Sequence, residues 1–186
     1  PSGTRFVQNL PASTFGIAID KAITALVVPV YGPTGEIATL QLIEDDGNKL
    51  FMKNGATAGG WFGIGEDFTT AHCVVIAEGL ATAQSIYESS GLSVLSAFNA
   101  GNLPKVAAMV RSKNATASII LAVDGDQAGR DHSEKAARLV NGRTIEAPDG
   151  MDWNDVHADE GIEAVRKAFI TEEISTLWKS DLIIKT

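Results

Sequence analysis

From Cys73 onward the chain alternates short apolar runs with segments of helical period, and this alternation limits the fold more than any other feature. Cys73–Ala77, Ser93–Phe98 and Ser118–Val123 read as strands, each an almost unbroken apolar stretch. Between and after them, Ala81–Ser89, Leu103–Ser112 and Gln127–Val140 read as helices, the last stopped by Asn141-Gly142. Arg143–Ala147 supplies a fourth strand and Gly161–Phe169 a final amphipathic helix. Unbroken apolar strands belong to sheets buried on both faces, which are parallel sheets covered by helices. Repeated β–α units imply right-handed crossovers, and ligand sites in such sheets lie at the carboxyl ends of the strands. The expected architecture is therefore α/β, with a mainly parallel four-stranded sheet flanked by helices.

Upstream the punctuation differs. Val27–Tyr31 runs into Gly32-Pro33-Thr34-Gly35, Glu36–Ile43 into Asp45-Asp46-Gly47-Asn48, and Lys49–Lys53 follows. That is the pattern of a small antiparallel β meander. Phe15–Leu26 reads either as a strand or as a short helix. The expected organisation is a β-rich subdomain over 1–70, an α/β domain over 71–170 and a C-terminal helix or tail over 171–186. An apolar content of 45% suffices for a core. A single cysteine rules out an internal disulfide and a thiolate-rich zinc site, and suits a reducing cytoplasm. No apolar run approaches the roughly 20 residues of a membrane span, so no membrane association is expected. The start, PSGTRFVQNLP, lacks a signal-peptide core, and a chain beginning at Pro1 without Met reads as a fragment of something longer.

Acids sit where the α/β reading places ligand sites. Glu78 follows the first strand directly, Asp124 and Asp126 follow the third as Asp124-Gly125-Asp126, and Asp152 and Asp155 lie in the loop after the fourth. Carboxylates gathered on one rim repel one another unless a cation neutralises them, and Mg²⁺ prefers a few carboxylates plus water and phosphate. The alternative for each is a helix cap, and Asp126 stands immediately before a helix. Trp61 is expected to pack in a core, whereas Trp153, set in the acidic loop, is open to other uses. No P-loop, dinucleotide fingerprint, histidine metal spacing or Ser/His/Asp arrangement is present.

The net charge of −8 speaks at first against nucleic acid. Its distribution does not. Residues 101–143 carry seven Lys/Arg against four Asp/Glu, whereas residues 149–160 carry five acids and no Lys or Arg.

Val74-Val75-Ile76-Ala77-Glu78-Gly79, followed by Ala122-Val123-Asp124-Gly125-Asp126-Gln127-Ala128-Gly129-Arg130, resembles the Toprim domain. That module is shared by DnaG-type primases, type IA and II topoisomerases and OLD-family nucleases. The string from Asp124 to Arg130, together with Pro148–Asp155, is similar to the DnaG-type primases. The upstream meander, Gly59–Gly65 and Ser96–Leu103 resemble phage and plasmid primases of the TraC type. The resemblance implies a Rossmann-like Toprim fold, nucleotidyl transfer with Mg²⁺ or Mn²⁺, and RNA primer synthesis from ribonucleoside triphosphates on a single-stranded DNA template. It implies that Glu78 is a general acid/base or metal ligand and that Asp124 and Asp126 hold Mg²⁺, with Asp152 and Asp155 completing a second position. Asn99 and Asn154 are further candidates. Lys105, Arg111, Lys113, Arg130 and Lys135 would bind template or nucleotide. A helicase or other replication module would accompany this segment in the full-length protein. DnaG-type primases often carry another acid four residues after the glutamate; here that position is Thr82. A Toprim nuclease and a non-catalytic nucleic-acid-binding module are the alternatives.

Overall fold

The computed structural model describes residues 3–16 and 22–170. The tail expected over 171–186 lies outside the described residues, as does the middle of the Phe15–Leu26 segment. The chain divides into two compact units, residues 1–62 and 63–186.

The first unit is a four-stranded antiparallel sheet in the order β1-β2-β3-β4, with β1 at Arg5–Pro11, β2 at Ala22–Tyr31, β3 at Ile37–Glu44 and β4 at Lys49–Phe51. The meander is thus longer by one strand than the sequence pattern suggests. β1 escapes a periodicity reading because its register shifts between Val7 and Leu10, and Asn9 there adopts φ 52°. One sheet face buries Ile23, Ala25 and Leu42 against Ala12 and Phe15 of a 3₁₀ turn over Ala12–Phe15. Pro29, which cannot donate a ladder hydrogen bond, sits in β2 beyond the stretch paired with β1, which ends at Val27. Trp61 lies 5.3 Å from Tyr31 between ring centroids and donates its indole N–H to the Gly32 carbonyl at 2.9 Å.

The second unit is the α/β layer. Its strands are β5 (Phe62–Ile64), β6 (Cys73–Ala77), β7 (Ser93–Ser96), β8 (Ser118–Val123) and β9 (Arg143–Glu146), in the order β5-β7-β6-β8-β9. β6 pairs in parallel with both β7 and β8, and β8 with β9. The helices are α1 (Leu80–Ser90), α2 (Leu103–Lys113), α3 (Gln127–Val140), α4 (Trp153–Glu160) and α5 (Ile162–Phe169). β6 is buried throughout, and Val75, Ile76, Leu95, Ile120 and Leu121 are fully enclosed, as a sheet covered on both faces requires.

Two features correct the sequence reading. The sheet has five strands, not four, because β5 forms within the Gly59–Gly65 segment. Three residues among glycines are too few to show alternation, and the first unit accordingly ends at Phe62 rather than near 70. The acidic stretch after β9 is also not all loop, since α4 begins at Trp153. Only Trp153 and Val156 of this helix are buried, so its period is weak. Trp153 is a core residue, meeting the Phe169 ring edge-on at 5.0 Å between centroids. β7 stops at Ser96 rather than Phe98, which takes φ 65°.

Asn114, buried at the end of α2, braces the amino ends of the strands. Its Nδ2 donates to the Phe68 and Ala71 carbonyls at 2.9 and 2.8 Å, and its Oδ1 accepts from the Ala117 N–H at 3.1 Å. Each buried partner left unsatisfied costs about 1–3 kcal/mol. Asn114→Ala is therefore expected to lower the unfolding free energy by at least about 2 kcal/mol. Urea denaturation checks this, and a loss below about 0.5 kcal/mol would show that the brace is not structural.

Candidate metal centre

The parallel register brings the acids to one rim. Ile76 is level with Leu121 across the β6–β8 pair, so Glu78 stands beside the end of β8, one step from Asp124. Neighbouring strands lie roughly 4.8 Å apart, which puts the two loops side by side. Val123 is level with Glu146, so the chain leaving β9 emerges on the other side of Asp124.

The turns are held by hydrogen bonds that the sequence makes specific. Gly125 donates its N–H to the Met151 carbonyl and accepts at its own carbonyl from the Gly150 N–H, both at 2.8 Å. A side chain cannot be accommodated here, since a Cβ on Gly125 would lie 2.0 Å from the Pro148 carbonyl oxygen. The Asp124-Gly125-Asp126 turn is thereby zipped to the loop that carries Asp152.

Asp126 and Asp152 are both helix caps. Asp126 Oδ1 accepts from the Gly129 N–H at 2.6 Å at the start of α3. Asp152 Oδ1 accepts from the N–H groups of Asn154 and Asp155 at 2.7 and 2.9 Å, and Asp155 returns the bond by accepting from the Asp152 N–H at 2.9 Å. The cap reading is therefore realised at these residues without removing them from the rim. Each cap of Asp126 and Asp152 occupies Oδ1 and leaves Oδ2 outside it.

Asp124 feels the crowding most. Its pKa is raised from 3.8 to about 7, first by burial and then by the charges of Glu78, Asp152, Asp126 and Asp155. Its Oδ1 is buried without a hydrogen-bond partner. Among the described residues no group of three or more His, Cys, Asp or Glu side chains already closes tightly enough to hold an ion. A cation would have to draw the acids inward. The oxygen-only donor set and the orphaned Asp124 Oδ1 fit a hard divalent cation such as Mg²⁺ or Mn²⁺. Thr82, at the position of the second family acid, is buried in α1 at 2% exposure.

The other candidates are scattered. Arg130, in the first turn of α3, pairs with Glu146 at the end of β9 and with Asp149 in the loop. Arg111 donates to the carbonyls of Val140, Ala115 and Ala117 at 3.1, 2.8 and 2.8 Å, at the amino end of β8 and away from the acidic rim. Lys113 ends α2 on that same side. Lys105 is exposed in the first turn of α2, on the rim side, and Lys135 is exposed midway along α3. Asn99 caps the 3₁₀ turn Ala100–Asn102 by accepting from the Asn102 N–H at 3.1 Å. Asn154 Oδ1 accepts from the buried Ser85 hydroxyl at 3.2 Å, and Ser85 Oγ lies 3.1 Å from His157 Nδ1. His157 lacks metal-ligand spacing in the sequence, and its contact with Ser85, like that of Ser85 with Asn154, joins α1 to α4, which no local pattern encodes.

Comparison with known proteins follows the same lines. The family model for the Toprim domain matches residues 73–163. A protein named DNA primase TraC from Escherichia coli is 31% identical over 141 residues, covering 70% of this chain and 10% of that protein. The chain thus spans about a tenth of the length of this curated relative. The primase fragment of the bacteriophage T7 primase-helicase protein superposes with a TM-score of 0.61 at 19% identity, covering 80% of this chain and 64% of that one. A DnaG primase catalytic domain bound to single-stranded DNA gives a TM-score of 0.61 at 14% identity, covering 89% of this chain and 64% of that one.

The raised Asp124 pKa has a definite sign. Between pH 4 and 7 the unfolded chain has released this proton while the folded chain still holds it, so folding is progressively disfavoured as pH rises through that window. In metal-free buffer, Asp124→Asn is expected to melt higher than wild type at pH 8, with the difference shrinking toward pH 4. Melting curves in a chelator across that range check it, and a pH-independent difference would sink the assignment.

Proposed function

The chain belongs to the Toprim domain family through residues 73–163, and from that premise we propose that it is the catalytic segment of a DNA primase of the TraC-like kind. In this reading it joins ribonucleotides into a primer on a single-stranded DNA template. The observation that carries it is the buried, partnerless Asp124 Oδ1 amid the charges of Glu78, Asp126, Asp152 and Asp155. Such a group is costly in isolation and becomes favourable when it ligates a cation.

Glu78, Asp124 and Asp126 would hold one divalent ion, and Asp152 with Asp155 would complete a second position. When bound, Mg²⁺ or Mn²⁺ supplies the positive charge that offsets the developing charge on the transferred phosphoryl group. Asp124 contributes by giving up its proton as the cation enters. Glu78, at the end of the central strand, would alternatively act as the general base that takes the proton of the attacking 3′-hydroxyl. The Gly125 zipper and the two caps keep the loops that carry the carboxylates side by side, which limits how far the acids must move when a cation draws them inward. Lys105, exposed at the rim end of α2, is the basic residue best placed to meet template or triphosphate. Arg111 and Lys113, at the far end of the strands, serve at most a more distant stretch of template. The primase fragment that superposes on this chain comes from a T7 protein named primase-helicase, and the same proposal gives the full-length protein a helicase or similar partner in phage or plasmid replication in the cytoplasm. No described helix is long and apolar enough to cross a membrane.

The test is incorporation of labelled ribonucleotides on single-stranded DNA with Mg²⁺ or Mn²⁺. Asp124→Asn and Glu78→Gln are each expected to lower kcat by about 100-fold or more while the fold persists. A change below threefold in both would overturn the proposal, and cation-dependent strand cleavage without any need for nucleotides would make the chain a nuclease instead.

A further inference from the structure

Arg130 is the only basic residue among those singled out that meets acidic side chains of the rim, and its contacts span three segments. Its Nε donates to Glu146 Oε1 at 2.5 Å, at the last residue of β9. One terminal nitrogen, Nη2, reaches Asp149 in the following loop and lies 3.5 Å from the Gly125 carbonyl. Its own Cα sits one turn into α3, whose cap is Asp126. One guanidinium therefore connects the helix behind Asp126, the turn between Asp124 and Asp126, the end of β9 and the loop leading to Asp152. A planar fork with five donors can make such a set of contacts, whereas a lysine ammonium, a point charge, cannot match their directions.

The charge arrangement agrees. Glu146 and Asp149 are acids that no cap uses, and they lie beside a rim already crowded by carboxylates. Arg130 stands between the two and bonds to both. An isolated exposed ion pair contributes little, but one side chain bridging several partners is the network case in which geometry matters. A guanidinium committed to two carboxylates is also poorly disposed to bind a phosphate, because the acids would compete with it and repel the ligand.

We propose that Arg130 is a positioning residue that clamps the Asp149–Asp152 loop to the Asp124-Gly125-Asp126 turn and so sets the spacing of the two carboxylate positions, rather than a contact to template or nucleotide. The inference rests on the cation-binding role of Glu78, Asp124, Asp126 and Asp152 proposed above. Partners around a ligand set typically change metal affinity by about 10–100-fold when removed. A phosphate contact makes the opposite demand: its loss lowers the salt dependence of DNA binding by about one unit of slope and leaves the metal affinity unchanged.

The experiment measures Mn²⁺ binding by calorimetry, and single-stranded DNA binding as a function of salt, for wild type, Arg130→Ala, Arg130→Lys and Glu146→Gln. The clamp predicts that Arg130→Ala weakens Mn²⁺ binding by about tenfold or more, that Glu146→Gln weakens it in the same direction, and that Arg130→Lys does not restore it. The salt slope stays at its wild-type value in Glu146→Gln and in Arg130→Ala. The proposal is overturned if Arg130→Ala binds Mn²⁺ as wild type does while its salt slope falls by about one. It is also overturned if Arg130→Lys behaves as wild type in Mn²⁺ binding. Failure of the primase reading looks different: the Mn²⁺ pattern holds, but no ribonucleotide is incorporated by any form. A wild type that binds no Mn²⁺ sinks the carboxylate site itself and the clamp with it.

Discussion

Crowding of like charge at one end of a parallel sheet is the constraint on which the rest of this site depends. Asp124 is buried, and Glu78, Asp152, Asp126 and Asp155 all raise its pKa. A fold that tolerates this arrangement must hold the acids against their own repulsion. It does so with backbone. The Gly125 carbonyl and N–H tie two loops together, and N–H groups at the starts of α3 and α4 hold Asp126 and Asp152. Helix amino termini favour negative charge, so the positions that cap the helices are also places where carboxylates rest comfortably.

This explains why capping and the proposed metal binding are not rival uses of the same residues. A cap occupies one carboxylate oxygen and fixes the rotamer of the side chain. The other oxygen is then presented in a defined direction, which is what a ligand to a hard cation needs. Asp155 follows the same pattern from the other side of the cap, since its Oδ2 accepts from the Asp152 N–H. Its part is to hold the loop as well as to contribute charge.

The parts of this fold that were legible in the sequence are those with a strong local signal. The bounds of β6, β8 and α3 follow from apolar runs and from a helix stop at Asn141-Gly142, and the Asp124-Gly125-Asp126 turn announces itself by its place after β8. β1 and β5 were missed because a register shift in one and a length of three residues in the other erase the alternation that identifies strands. α4 was missed because its sequence, WNDVHADE, carries only two buried residues and its start depends on a reciprocal cap rather than on an apolar stripe. At the site, the identity of the acids was readable from strand ends. Their partners were not. Arg130 with Glu146, Ser85 with His157 and Gly125 with Met151 are contacts between elements distant in sequence, and they exist only once the crossovers have folded.

The net charge of −8 takes its meaning from the same polarity. The acids gather at the carboxyl ends of β6, β8 and β9, while Lys113, Arg138 and Arg143 stand at or near the opposite ends of the second unit, with Arg138 in the last turn of α3 and Arg111 and Lys113 in that of α2. Cations at helix carboxyl termini and acids at helix amino termini both follow the helix macrodipole, so the charge separation is aligned with the α/β layer rather than imposed on it. An anionic polymer meeting this surface is repelled from the rim and tolerated away from it. A cation seated among Glu78, Asp124, Asp126 and Asp152, as proposed above, would reverse that sign at the rim and let a phosphate approach the carboxylates.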